Sequence, residues 1–168
     1  FGSSSNSSDV GDLTTGRSVC GVMSATRAYF SGGMINGAGT MSNVIESVPF
    51  ATDGNSTDWG DLTQSLDIGS NGQNSETHGY RVGGDTTANG TSQNVIDKFP
   101  FSSAANATDV GDVLSVIHYT TGCSTTTYGY KMGGGTTPYG TKLNSIEKFS
   151  FATDGNATDV SDLTSTRT

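Results

Sequence analysis

Positive charge is scarce in this chain. Eight Lys and Arg stand against 16 Asp and Glu, for a formal net charge of −8 at pH 7. Grip on a phosphate backbone rests on clustered Lys and Arg, so this balance argues against a nucleic-acid partner and against anionic membrane surfaces. No apolar run approaches the length of about 20 residues that a membrane-spanning helix needs, so no membrane insertion is expected. Histidine is nearly absent too, with only His78 and His118. They stand at different repeat phases, and neither has a Cys, carboxylate or Ser partner recurring beside it, so a solvated or packing role is expected for both. No nucleophile elbow, phosphate loop or Cys-x-x-Cys pair is present; Gly133-Gly134-Gly135 lacks the Lys-Ser/Thr of a phosphate loop. Apolar residues make up only 32 %, low for a globular domain.

What the chain has is glycine, 24 of them, in a strict order. Glycine doublets fall at Gly32-Gly33, Gly83-Gly84 and Gly133-Gly134, each preceded at one offset by Tyr29, Tyr80 or Tyr130. An Asn-x-Ile-acid group follows, ending in Glu46, Asp97 or Glu147. A Thr/Ser-Asp turn then recurs at Asp9, Asp58, Asp109 and Asp159. All these landmarks keep a period of about 50 residues, which suits a four-stranded propeller blade better than the shorter helical or leucine-rich units. Disordered tracts do not hold such a register, so the low apolar content reads as thin cores between sheets. Phe1, Phe50, Phe101 and Phe151 share a phase. The repeats are therefore 1–49, 50–100 and 101–150, with a partial fourth at 151–168, in one array. A chain that opens inside a repeat is expected to be a processed product or a piece of something longer.

Within each repeat the pattern is that of strands and turns. Residues 19–31 predict two short strands or one bent one. The matching stretches before Tyr80 and Tyr130 are rich in small residues, as crowded inner strands require. The glycine doublet is expected to end the strand. Residues 34–42, 85–93 and 135–143 are expected to be exposed connections. At 44–50, 95–101 and 146–151, apolar residues alternate with polar ones, which predicts a sheet with one face more buried. Pro49 and Pro100 are placed at an edge or bulge. Asp-Gly-Asn then predicts a hairpin, and Trp59, Val110 or Val160 opens a short outer strand. Val10 and Leu13 are read as anchors for the first loop. No helix is predicted.

Three sets of residues invite chemistry. Asp53, Asn55, Asp58 and Asp61, repeated as Asp154, Asn156, Asp159 and Asp162, offer the hard oxygens that hold Ca²⁺. The middle copy has Ala104 at the first phase and no Glu closes the loop, so turn formation is favoured over metal. Five sequons, at Asn6, Asn55, Asn89, Asn106 and Asn156, are read as turn residues, four of them at one phase. Cys20 and Cys123 lie two repeats apart, too far for a disulfide, and are expected to be free, largely buried thiols. No residue is assigned a catalytic, cofactor-binding or metal-ligating role.

Tyr80-Arg81-Val82-Gly83-Gly84, the strand Asn94 to Phe101 and the Asp109-Val110 turn together resemble a kelch repeat, with Trp59 standing where many kelch blades carry Trp. The resemblance implies an all-β, kelch-like β-propeller: four antiparallel strands per blade, three blades plus a partial one, an incomplete ring or a fragment. Residues Phe151 to Leu163 and Thr77 to Gly84 are further similar to kelch-like arrays in virion structural proteins of marine phages, especially those infecting cyanobacteria. That likeness implies a non-enzymatic component of a fibre, spike or decoration, located on a virion or outside the cell. Its partners would be other copies or other virion proteins, and a host-surface glycan. Some kelch-like propellers are copper oxidases, but their Tyr/Cys/His set finds no plain counterpart in two unmatched histidines. A secreted carbohydrate-active propeller with its active site outside this segment, and a bacterial surface adhesin, are the alternatives.

Overall fold

The computed structural model describes residues 7–35, 39–67, 72–87, 90–136 and 140–167. Sheet I holds β1 (Cys20–Met23) and β2 (Arg27–Ser31). A small ribbon, β3 (Met34–Ile35) with β4 (Thr40–Met41), precedes its remaining strands, β5 (Val44–Pro49) and β6 (Thr57–Asp61). Sheet II holds β7 (Gln73–Asn74), β8 (His78–Asp85), β9 (Ser92–Pro100) and β10 (Thr108–Ile117). Sheet III holds β11 (Thr121–Ser124), β12 (Tyr128–Met132), β13 (Ser145–Ser150) and β14 (Thr158–Asp162). All three are antiparallel, with neighbours in chain order. The described residues contain no helix.

Local chemistry sets the turns. Ser24 Oγ accepts the N–H groups of Thr26 and Arg27, Ser75 Oγ those of Thr77 and His78, and Thr125 Oγ1 those of Thr127 and Tyr128. A hydroxyl at this one phase therefore folds the first hairpin of every sheet. Residues 19–31 are thus two strands.

Several expectations change. The glycine doublet ends the strand in sheets I and III, but β8 runs through Gly83-Gly84 to Asp85, with a register shift after Val82. The stretches expected to be exposed connections are partly interior: Met41, Ser42 and Ser92 are buried. Pro49 and Pro100 are the last residues of the interior strands β5 and β9, paired with Arg27 and His78. There the chain leaves the ladder, so a missing N–H does little harm.

Hydrogen bonding also divides the chain at a different phase from the sequence repeat. Within residues 151–167, β14 (Thr158–Asp162) is the fourth strand of sheet III. The segment left over is residues 7–18, at the other end.

Sheets I and II, and II and III, pack through the same contacts. Tyr29 stacks on Phe101 at 4.7 Å and 18°, and Tyr80 stacks on Phe151 at 4.7 Å and 24°. Phe99 and Phe149 lie beside these rings. Ile45 and Leu62 fill the first interface with Val95 and Ala107; Ile96 and Val113 fill the second with Phe149 and Ala157. We call the Tyr side of each sheet its forward face and the Phe side its rear face.

Candidate functional site

Glu46, Asp97 and Glu147 are buried, at 0 %, 0 % and 1 % exposure. The alternation had suggested one wetter face; instead both faces of the strand are covered. Each carboxylate accepts a backbone N–H from the preceding unit of the chain. The donors are Thr14 for Glu46, Thr63 for Asp97 and Leu114 for Glu147, at 3.0, 3.0 and 2.9 Å. Thr14 and Thr63 add their hydroxyls to the same carboxylates. These residues share a repeat phase. The acids therefore staple neighbouring units together.

Each sheet also buries a cation near its acid. In sheet III, Lys131 lies directly opposite Glu147 and binds it at 2.9 Å, with the Ser145 hydroxyl on both groups. In sheet II, Arg81 is opposite Asp97, but its guanidinium bonds the carbonyls of Ser31 and Asp67. Burial raises the Asp97 pKa above the ordinary carboxylate value; the Thr63 bonds and the Arg81 charge oppose this. In sheet I the opposite residue is Phe30, and the cation comes from Arg17, 2.9 Å from Glu46.

The Asp/Asn clusters form turns, and they also bridge sheets. Asp9, Asp58 and Asp109 each accept the N–H of the glycine two residues on. Asn55, Asn106 and Asn156 accept the N–H of Asp12, Asp61 and Asp112 in the preceding unit. Three sequon side chains are thus engaged between neighbouring units. Asn6 and Asn89 lie outside the described residues. Among the described residues no three His, Cys, Asp or Glu side chains stand together as metal ligands.

Sequence reasoning missed a buried polar cluster at the doublet end of sheet II. Ser92 Oγ donates to Asp85 at 2.7 Å and lies 2.9 Å from His118 Nδ1. His118 Nδ1 also lies 3.6 Å from the Asp85 carboxylate. A nucleophilic triad needs the imidazole between hydroxyl and carboxylate; here the hydroxyl is in the middle. The cluster ties β10 to the β8–β9 end. His118 is 7 % exposed, so it packs. The signal lay 26 residues away from it in the chain. His78 instead bonds Thr77, and burial, the largest influence, lowers its pKa.

The thiols divide. Both are free; Cys20 is buried, but Cys123 is exposed, against expectation. Its phase explains this. Val22 and Gln73 hold the same phase and press on the next sheet's Gly72 and Gly122, whereas no described sheet covers Cys123. Cys123 borders a cleft of about 550 Å³, lined also by Asn74, Ser75, Glu76 and the Ser124–Thr126 turn. That cleft offers hydroxyls, one amide and one carboxylate.

No protein-family model matches the chain, and no curated protein sequence matches it.

Proposed function

We propose that the three sheets are blades of a kelch-like β-propeller and that the chain is a structural and interaction module rather than an enzyme. Its place would be a phage particle, in a fibre, spike or decoration. The observation that carries this reading is the use made of the buried polar residues. The carboxylates, amides and hydroxyls at repeated phases are engaged in joining one sheet to the next, so the repeat serves assembly. The Tyr–Phe stacks and small inner-strand residues suit blades that converge toward an axis. The likeness of residues Phe151 to Leu163 and Thr77 to Gly84 to virion arrays supplies the setting. The polar cleft beside Cys123 supports a weak contact with a host-surface glycan, through hydroxyl and amide hydrogen bonds.

Mass spectrometry of purified particles tests the setting: the chain's peptides should be present at structural stoichiometry. Their absence from particles, together with turnover of a polysaccharide by the purified protein, would defeat the proposal in favour of an enzyme.

A further inference from the structure

Residues 8–14, SDVGDLT, and residues 158–164, TDVSDLT, are two renderings of one segment. The second contains β14 and pairs with β13. The first lies against sheet I as an outer strand would. Gly54 N–H donates to the Val10 carbonyl, Ser56 N–H to the Asp12 carbonyl, and Thr14 reaches Glu46. Its other edge pairs with no strand among the described residues.

Among the described residues, no sheet covers two apolar faces at the ends of the stack. The rear of sheet I has a groove of about 390 Å³, walled by Val10, Leu13, Val19, Phe30, Val48 and Phe50. The forward face of sheet III carries Tyr130, Ile146, Leu163 and Val160, the last 45 % exposed. These match by phase the Tyr, Ile, Leu/Val and Trp/Val that sheets I and II bury against a following sheet. Val48 and Phe50 likewise hold the phases of Phe99 and Phe101. The open ends are therefore complementary halves of an interface the chain already makes twice.

We infer that copies of this chain associate head to tail, residues 8–14 of one copy replacing β14 as the fourth strand of sheet III in the next. Strand pairing is conserved, because one segment leaves β13 and its near-twin takes its place. The gain is burial of two apolar faces. A glycine decides which strand stays. A Cβ on Gly60 or Gly111 would stand 2.3 or 2.4 Å from a carbonyl of the next sheet's loop, and one on Gly11 would stand 2.2 Å from the Gly54 carbonyl. β14 has Ser161 at that phase, so it cannot both lie on β13 and press against such a loop. The segment carrying Gly11 does both. The contact is heterologous and repeats from copy to copy. It concerns the chain alone and stands independently of any particle.

The register Thr158 opposite Lys148 sets Ser8 opposite Lys148 of the neighbouring copy after exchange. With Cys123→Ser as background, Ser8→Cys plus Lys148→Cys should give disulfide-linked oligomers that increase with concentration, and neither single variant should. Sedimentation velocity of the unaltered chain should show the same concentration dependence, and β14 amides should exchange several-fold faster in the associated form. Adding Ser161→Gly should let β14 stay in place and reduce the cross-link several-fold. A chain monomeric at all concentrations, oligomers with no Ser8–Lys148 link, a link formed within one chain, or unchanged β14 protection on association would each overturn the exchange.

Discussion

Sheets I and III bury the same carboxylate at the same phase but neutralise it from different places. Glu147 faces Lys131 across the strand pair of its own sheet, whereas Glu46 faces Phe30 and receives Arg17 from the segment before the sheet. The difference teaches that the cation beside a buried Glu can come from either place; in sheet II Arg81 bonds carbonyls instead, and Asp97 is satisfied by Thr63. Removing the partner of a buried ion pair is strongly destabilising, because it leaves an uncompensated charge.

The largest effect should come from removing that partner. Lys131→Met or Arg17→Met should each lower unfolding free energy by about 3–5 kcal/mol, because a buried carboxylate loses its counter-charge. Urea titration measures this. The sharper test adds Phe30→Lys to Arg17→Met, which gives sheet I the arrangement of sheet III. Substantial recovery is expected; none would mean that the route of the cation matters as well as its charge.

Next come the glycines at the sheet junctions. Gly111→Ala sets a Cβ against the Gly155 carbonyl 2.4 Å away, at φ +151°. Gly155→Ala, at φ +154°, meets nothing within 4 Å. Overpacking typically costs about 1–3 kcal/mol, and only Gly111→Ala should bear it in addition to backbone strain. Equal losses in melting experiments would remove the close-approach argument, and with it the role given to Gly11.

The two interfaces also differ at one large residue. Trp59 donates to the Pro100 carbonyl at 2.9 Å and lies under Arg27, while Val110 holds its place in sheet II. Trp59→Val should make the first interface resemble the second, at a loss of about 1–2 kcal/mol for one hydrogen bond and some aromatic contact.

The smallest effect is on pH dependence. Asp97 has a folded-state pKa above its unfolded value, so the folded state holds its proton to higher pH. Its contribution is full below the unfolded value of 3.8 and is lost as pH rises through the raised folded value. Asp97→Asn should flatten that part of the stability profile. An unaltered profile would show that Asp97 is not the group responsible.

Much of the architecture was legible. The glycine doublets, the Tyr landmark and the Thr/Ser-Asp turns recur at about 50 residues, and that period pointed to the four-stranded units that the sheets form. The cation and acid were harder. Glu46, Asp97 and Glu147 alternate with apolar residues and so read as the solvent side of a strand, although partners arriving from the previous unit bury them. Asn55, Asn106 and Asn156 read as hairpin formers, which they are, but their reach across the junction leaves no local trace. The Asp85–Ser92–His118 cluster was invisible because it occurs once, so no period exposes it. The doublet looks like one device in all three repeats, yet Gly83-Gly84 sits inside a continuing strand.

Every staple found here runs in one direction. The amide that satisfies Glu46, Asp97 or Glu147 always comes from an earlier position, Thr14, Thr63 or Leu114. On a ribosome, where chains are made and often fold from the N-terminal end, each carboxylate would emerge after its amide had already cleared the exit tunnel. No acid has to wait, charged and unpaired, for a segment still to be translated. Synthesis would add sheets as masonry adds courses, each laid on one that has set.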